Sequence, residues 1–151
     1  MRPGTVATAL AVGFGVACEI AAREMEADAE HAAALSARFM DRLRHAHPWL
    51  VVNGSMDRRV PHNLSVSFPG VDADALVASV PDLAISTGSA CSAGALNTSH
   101  VLAAIVPAEI ADGTIRIGFG RKTTIGEVDA AAAMVVQAVA ALAAGSNRKV
   151  G

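Results

Sequence analysis

No proline stands between Pro3 and Pro48, and the interval is rich in alanine, so the first third of the chain is committed to helix before any other element is considered. Pro3-Gly4 followed by Thr5, a good capping residue, predicts the start, and Pro48 forces the end near His45. The second half of this helix is amphipathic. Ile20, Met25, Leu35, Phe39 and Leu43 alternate with Arg23, Glu24, Asp28, Arg38 and Asp41, which predicts one buried stripe and one wet face. Gly13 and Gly15 are expected at a bend or a close packing contact, and Cys18 is expected to be buried in helix packing. Arg2 with the apolar run Thr5 to Cys18 has the length of a signal-peptide core, but a single arginine, the Pro3-Gly4 break and a partial cleavage pattern argue against secretion. The same run is too short for a membrane span.

Beyond Pro48 the pattern shortens. Trp49 to Asn53 reads as a strand closed by the Asn53-Gly54 turn, with a hairpin-like return. In His62 to Phe68, Leu64, Val66 and Phe68 alternate with Asn63, Ser65 and Ser67, the period of a half-buried strand that Pro69-Gly70 stops. Asp72 caps a short helix to Val80, Leu83 to Ile85 offers a third strand, and Ser86 to Gly94 is a loop of small residues. Thr98 or Ser99 caps a helix to about Ile105, Thr114 to Phe119 forms another strand, and Thr124 caps a final helix over Ile125 to Ala144. The fold class is α/β, an open layer with helices against a small sheet. The expected organisation is one domain: a helical segment 1–47, a small α/β body 48–145 and a tail 146–151.

With 151 residues and 52% apolar composition the chain can bury one core. A net charge of -2 leaves no broad cationic surface for nucleic acid, and the Arg58-Arg59 and Arg121-Lys122 pairs are read as solvated charge. Two cysteines, Cys18 and Cys91, and five unclustered histidines write neither a disulfide framework nor a metal site; reduced thiols in the cytoplasm fit best. Gly113 to Gly118 has the glycine spacing of a phosphate loop, but Phe119 takes the lysine position. Asp72 and Asp74 form no acid pair, since Asp72 is a helix cap.

Cys91 is the candidate nucleophile, because its loop of Ser, Thr, Gly and Ala gives a thiol access. A thiolate also needs a nearby positive charge or proton acceptor, which the sequence alone does not supply. Most cysteines are inert packing, and the neighbouring residues are what raise Cys91 above that background. Ile85-Ser86-Thr87-Gly88-Ser89-Ala90-Cys91-Ser92-Ala93, followed by Ser99-His100-Val101-Leu102, resembles the active-site loop of cysteine desulfurases of the NifS and IscS type. Three further blocks agree in order: Arg2-Pro3-Gly4-Thr5, Asn63 to Phe68, and Ile115 to Arg121 with Thr123-Thr124 and Glu127-Val128-Asp129.

The resemblance implies the small C-terminal domain of the type I pyridoxal-phosphate-dependent transferase fold. It implies that Cys91 takes sulfur from L-cysteine as a persulfide, leaving alanine, and hands it to an acceptor or iron–sulfur scaffold protein; the extended loop resembles the branch with a long catalytic loop. Arg116 matches the family's arginine for the substrate carboxylate, a role that suits a planar two-pronged donor. Thr5 matches a threonine that contacts the cofactor phosphate of the neighbouring subunit in a dimer. Its other role, helix capping, is compatible with this. His100 and Cys18 carry no catalytic role. The family's Schiff-base lysine is not matched, since the only lysines are Lys122 and Lys149. The chain therefore reads as part of a cysteine desulfurase, a truncated product, a split half or a fragment, inactive without a large domain that brings pyridoxal phosphate. Two alternatives stand beside it: a noncatalytic remnant or dimerisation and scaffold-binding piece, and, more weakly, a class V aminotransferase fragment.

Overall fold

The computed structural model describes residue 4, residues 7–87 and residues 100–146, with only the backbone of His100, Ala103 and Ser146. Helix α1 spans Thr8–Ala46 without interruption. Its cap position falls on Ala7, which supplies no side-chain hydrogen bond, so the start lies later than Thr5. Thr5 itself lies outside the described residues. The C-terminal half of α1 behaves as its pattern predicts, burying Leu35, Phe39, Met40 and Leu43. The rest of α1 does not, and the buried stripe expected from Ile20 onward fails at Met25. Met25 is 69% exposed, Cys18 is exposed rather than packed, and apart from the adjoining backbone of the helix itself nothing lies within 4 Å of a Cβ placed on Gly13 or Gly15. Patterning marked these positions as apolar, but among the described residues nothing packs there.

Three strands form one antiparallel sheet in the order β1 (Val51–Val52), β2 (Asn63–Ser67), β3 (Thr114–Gly118). The hairpin return from β1 to β2 pairs Val52 with Val66, and β2 pairs β3 with Leu64 opposite Ile117 and Val66 opposite Ile115. Strand alternation sends Leu64, Val66, Ile115 and Ile117 to one face. That face packs on the second half of α1 and on α5 (Ile125–Ser146), whose Val128, Ala132, Val135 and Val139 are buried. By length and composition α5 could also cross a membrane, but here its apolar stripe is core. Phe39 meets Phe119 edge to face at 5.8 Å, tying helix to sheet end.

Local chemistry explains the remaining elements. Asp72 Oδ1 accepts from Ala75 N at 2.8 Å and caps α2 (Ala73–Ser79). Thr124 and Glu127 form a reciprocal capping box at α5: Thr124 N donates to Glu127 Oε2 at 2.7 Å, and Glu127 N donates to Thr124 Oγ1 at 3.2 Å. That backbone hydrogen bond, helped by the Thr124 hydroxyl, holds the Glu127 carboxyl below the usual range. Arg38 grips Asp129 through Nε and Nη2, both at 2.7 Å, and this pairing lowers the Asp129 carboxyl, with Arg42 adding to it. Arg121 pairs with Glu24 and Asp28, fastening the turn after β3 to α1. His47, read from sequence only as one of five unclustered histidines, is buried; it contacts Trp49 and Phe68 edge to face, and its Nε2 meets the Val136 carbonyl at 3.0 Å.

One further expectation fails, and one element was not anticipated. Leu83 to Ile85 is not a strand; only Ser86 bridges to Arg116. Residues between α3 (His100–Ile105) and β3 contain a short helix α4 (Ala108–Ala111) that periodicity could not reveal in four residues.

Candidate functional site

The opposite face of the sheet carries Asn63, Ser65, Ser67, Thr114 and Arg116. It is polar but only partly wet. Ser67 and Thr114 are buried, and Ser67 Oγ lies 2.6 Å from Thr114 Oγ1. Asn53, buried where β1 ends, donates from Nδ2 to Ser67 Oγ at 2.9 Å and to Ser65 Oγ at 3.1 Å. This network fixes the strands behind Arg116 and leaves no buried polar side-chain atom without a partner among the described residues.

Arg116 is held through its backbone by Ser86. Its backbone N donates to Ser86 O at 2.7 Å and its carbonyl accepts from Ser86 N at 3.2 Å. Because both groups turn toward Ser86, its pairing with Ser65 on β2 is of the non-hydrogen-bonded kind, where side chains approach closely. The exposed guanidinium thus leaves the sheet at a fixed point, next to the residue that precedes Thr87.

A cavity of about 300 Å³ opens there. Asn53, Asn63, Ser65, Thr114 and Arg116 line it from the sheet, and Val101, Leu102 and Ile105 line it from α3. Arg58 and Arg59 complete the wall with Thr87. Sequence reasoning left this arginine pair as solvated charge; the β1–β2 connection instead folds it onto the site. The Gly54 backbone, with a φ of 76°, begins the turn, and Ser55 Oγ accepts from the backbone N of Arg58 at 3.1 Å. Arg59 then reaches back, donating from Nε to Ser55 O at 2.7 Å and from Nη2 to Asn53 O at 2.8 Å. A signal for the covered face was present. Asn63, Ser65 and Ser67 are small and uncharged, whereas a face open to water commonly carries Lys or Glu.

Of the residues singled out from sequence, the structure places Arg116 in this cavity, while Cys91 and Thr5 lie outside the described residues. Thr87 and Val101, which bound the stretch containing Cys91, both line the cavity. The described residues do not fit an aldehyde cofactor such as pyridoxal phosphate. No lysine lines the cavity, and Lys122 is exposed on the turn after β3. Among the described residues no His, Cys, Asp and Glu cluster could hold a metal ion.

Residues 1–131 match the aminotransferase class-V family. The chain is 43% identical over 136 residues to the cysteine desulfurase IscS of Rickettsia typhi, covering 89% of this chain and 33% of that protein. It is 46% identical over 143 residues to the cysteine desulfurase IscS of Stutzerimonas stutzeri, covering 94% and 35%. A solved NifS-like protein superposes with a TM-score of 0.77 at 28% identity, covering 93% of this chain and 36% of the other. The chain thus spans about a third of the length of the relatives it matches.

Proposed function

Because the chain belongs to the aminotransferase class-V family and is of the IscS/NifS type, we propose that it is the sulfur-accepting part of a cysteine desulfurase. The carbon–sulfur bond of L-cysteine breaks, the sulfur joins Cys91 as a persulfide, and the amino acid leaves as L-alanine. Atoms balance without an outside oxidant: the hydrogen needed by the new methyl group comes from the two thiols, and the persulfide keeps the other. Cys91 is the nucleophile of this covalent step. Arg116 binds the substrate carboxylate, and Thr5 serves the cofactor phosphate of the neighbouring subunit.

The observation that carries this reading is the place of Arg116, on a strand bonded to Ser86 and in one cavity with Thr87 and Val101, the two ends of the stretch that bears Cys91.

Pyridoxal phosphate, which the family implies, supplies an electron sink when bound. It belongs to a large domain held either by a longer form of this protein or by a partner chain, with residues 1–47 as the helical link to it and 48–145 as the small domain. The first half of α1 supports such a partner. Leu10 is 75% and Phe14 72% exposed on one side of the helix, with Val12 and Val16 exposed on the other. A helix apolar all round is one that becomes buried all round, in a homodimer or in a complex with the large domain. The persulfide passes to a sulfur-acceptor or iron–sulfur scaffold protein in the cytoplasm, whose reducing conditions keep Cys91 a thiol.

The test combines the chain with L-cysteine, pyridoxal phosphate and a thiol reductant, with and without a chain carrying the large domain of a desulfurase. Sulfide release is expected only in the combination and is lost in Cys91→Ala. If the combination associates but releases no sulfide beyond the Cys91→Ala control, the enzymatic reading fails and a noncatalytic dimerisation or scaffold-binding piece replaces it.

A further inference from the structure

Arg58 is a cation that the proposed reaction leaves without a task. Among the described residues, the cavity beside Arg116 is lined by three arginines and by no carboxylate. Arg59 is committed: its guanidinium donates to the carbonyls of Ser55 and Asn53 and acts as a staple in the β1–β2 connection. Arg58 differs. Its backbone is held by Ser55 Oγ, but no hydrogen bond or ion pair to its guanidinium is found among the described residues. Like charges gathered in a small concave site raise its positive potential and draw in anions. Neutral donors on Asn63, Ser65 and Thr114 add to that character without offsetting the charge. At about 300 Å³ the cavity is at the lower limit for small-molecule sites, large enough for an amino acid and too small for a nucleotide.

We infer that the cavity is a two-point anion site, in which Arg116 takes a carboxylate and Arg58 takes a second anionic group of the same small ligand. The carboxylate half rests on the proposed function; the Arg58 half goes beyond it. The ligand class is a short dianion, and a cysteine-sized amino acid ionised at sulfur is the member that the proposed reaction supplies. Arg58 thereby favours a ligand with an acidic side chain over one with an alkyl side chain.

The two halves are separable by titrating the isotope-labelled chain with propionate and, separately, succinate at low salt, following amide and arginine Nε–H signals by NMR. Succinate is expected to bind about fivefold more tightly, the upper range for an exposed ion pair, and to lose that advantage in high salt. Arg58→Gln removes the advantage, weakening succinate several times more than propionate, while Arg58→Lys retains part of it. Arg116→Gln weakens both anions. Equal binding of the two anions by the wild type, binding of neither, or an advantage that survives in Arg58→Gln overturns the assignment of Arg58. Propionate binding untouched by Arg116→Gln would instead overturn the carboxylate role of Arg116.

Discussion

Gly113 should be among the least replaceable residues of the chain, and the reason is space rather than backbone conformation. Only Gly54 and Gly70 have positive φ among the described residues, so alanine could adopt the Gly113 backbone. A Cβ placed there, however, would lie 2.2 Å from the Phe68 carbonyl oxygen and 2.9 Å from both Phe68 C and the Val71 oxygen. All three are main-chain atoms, and none can move away by changing rotamer. The Gly113 carbonyl also accepts from Phe68 N at 2.9 Å, so separating the strands to admit a methyl group stretches this bond beside the Ser67–Thr114 contact. Overpacking costs about 1–3 kcal/mol and a buried hydrogen bond left unmade about 1–3 kcal/mol, so Gly113→Ala should lose about 3–5 kcal/mol. With a urea slope of about 2 kcal/mol/M, the unfolding midpoint should fall by about 2 M. Gly118→Ala is the control, because its Cβ would meet nothing nearer than His62 O at 3.9 Å; its midpoint should stay within about 0.3 M of wild type. If Gly113→Ala shifts the midpoint no more than this control, the close approach of the Phe68–Val71 turn to the start of β3 is wrong.

Other consequences are open to measurement. Thr124→Ala removes the α5 cap and should cost about 1 kcal/mol by denaturant titration, against no change on substituting the exposed neighbour Lys122. The depressed Glu127 carboxyl contributes stability that is complete above the ordinary glutamate range and is lost as pH falls through its lower folded value, so the Tm gap between wild type and Glu127→Gln should close from pH 6 to pH 3; a constant gap would refute the capping box. Asp129→Asn should lower Tm at neutral pH and low salt, with the difference narrowing in 1 M NaCl, since its partners Arg38 and Arg42 are about half exposed. Phe39→Ala should cost about 3–5 kcal/mol, whereas Phe14→Ser should leave the Tm of the chain unchanged and reduce self-association in sedimentation; a matching loss for Phe14 would show that the first half of α1 packs on the core.

What could be read in the sequence follows from where a signal is local. Alternation placed β2 correctly because Leu64, Val66 and Phe68 face one core. Capping chemistry placed α2 and α5, because Asp72 and Thr124 act within three residues of themselves. The failures are nonlocal. Cys18 looks like core because its surroundings are apolar and Met25 because it falls on the apolar stripe, and periodicity cannot tell whether a partner surface is present. Leu83 to Ile85 has strand composition, yet pairing requires a register that only Ser86 achieves with Arg116. Arg116 was singled out by its motif and lines the cavity. The company of Arg58 and Arg59 was not, because the β1–β2 connection that delivers them depends on Ser55 and on the Gly54 turn, both of which look like ordinary loop.

The unbroken course of α1 makes the molecule a lever. From Phe14 to Phe39 the helix axis runs about 38 Å at 1.5 Å per residue, with exposed apolar turns at one end and the sheet that carries the cavity at the other. A tilt of about 5° where Leu10 and Phe14 are held would swing the cavity by about 3 Å, several times the positional tolerance of about 0.5 Å that a reacting constellation allows. Whatever clasps the first turns of α1 therefore sets the aim of Arg116 and Arg58 as firmly as any contact inside the cavity. Gly13 and Gly15, with open space around both, are the soft points of the shaft.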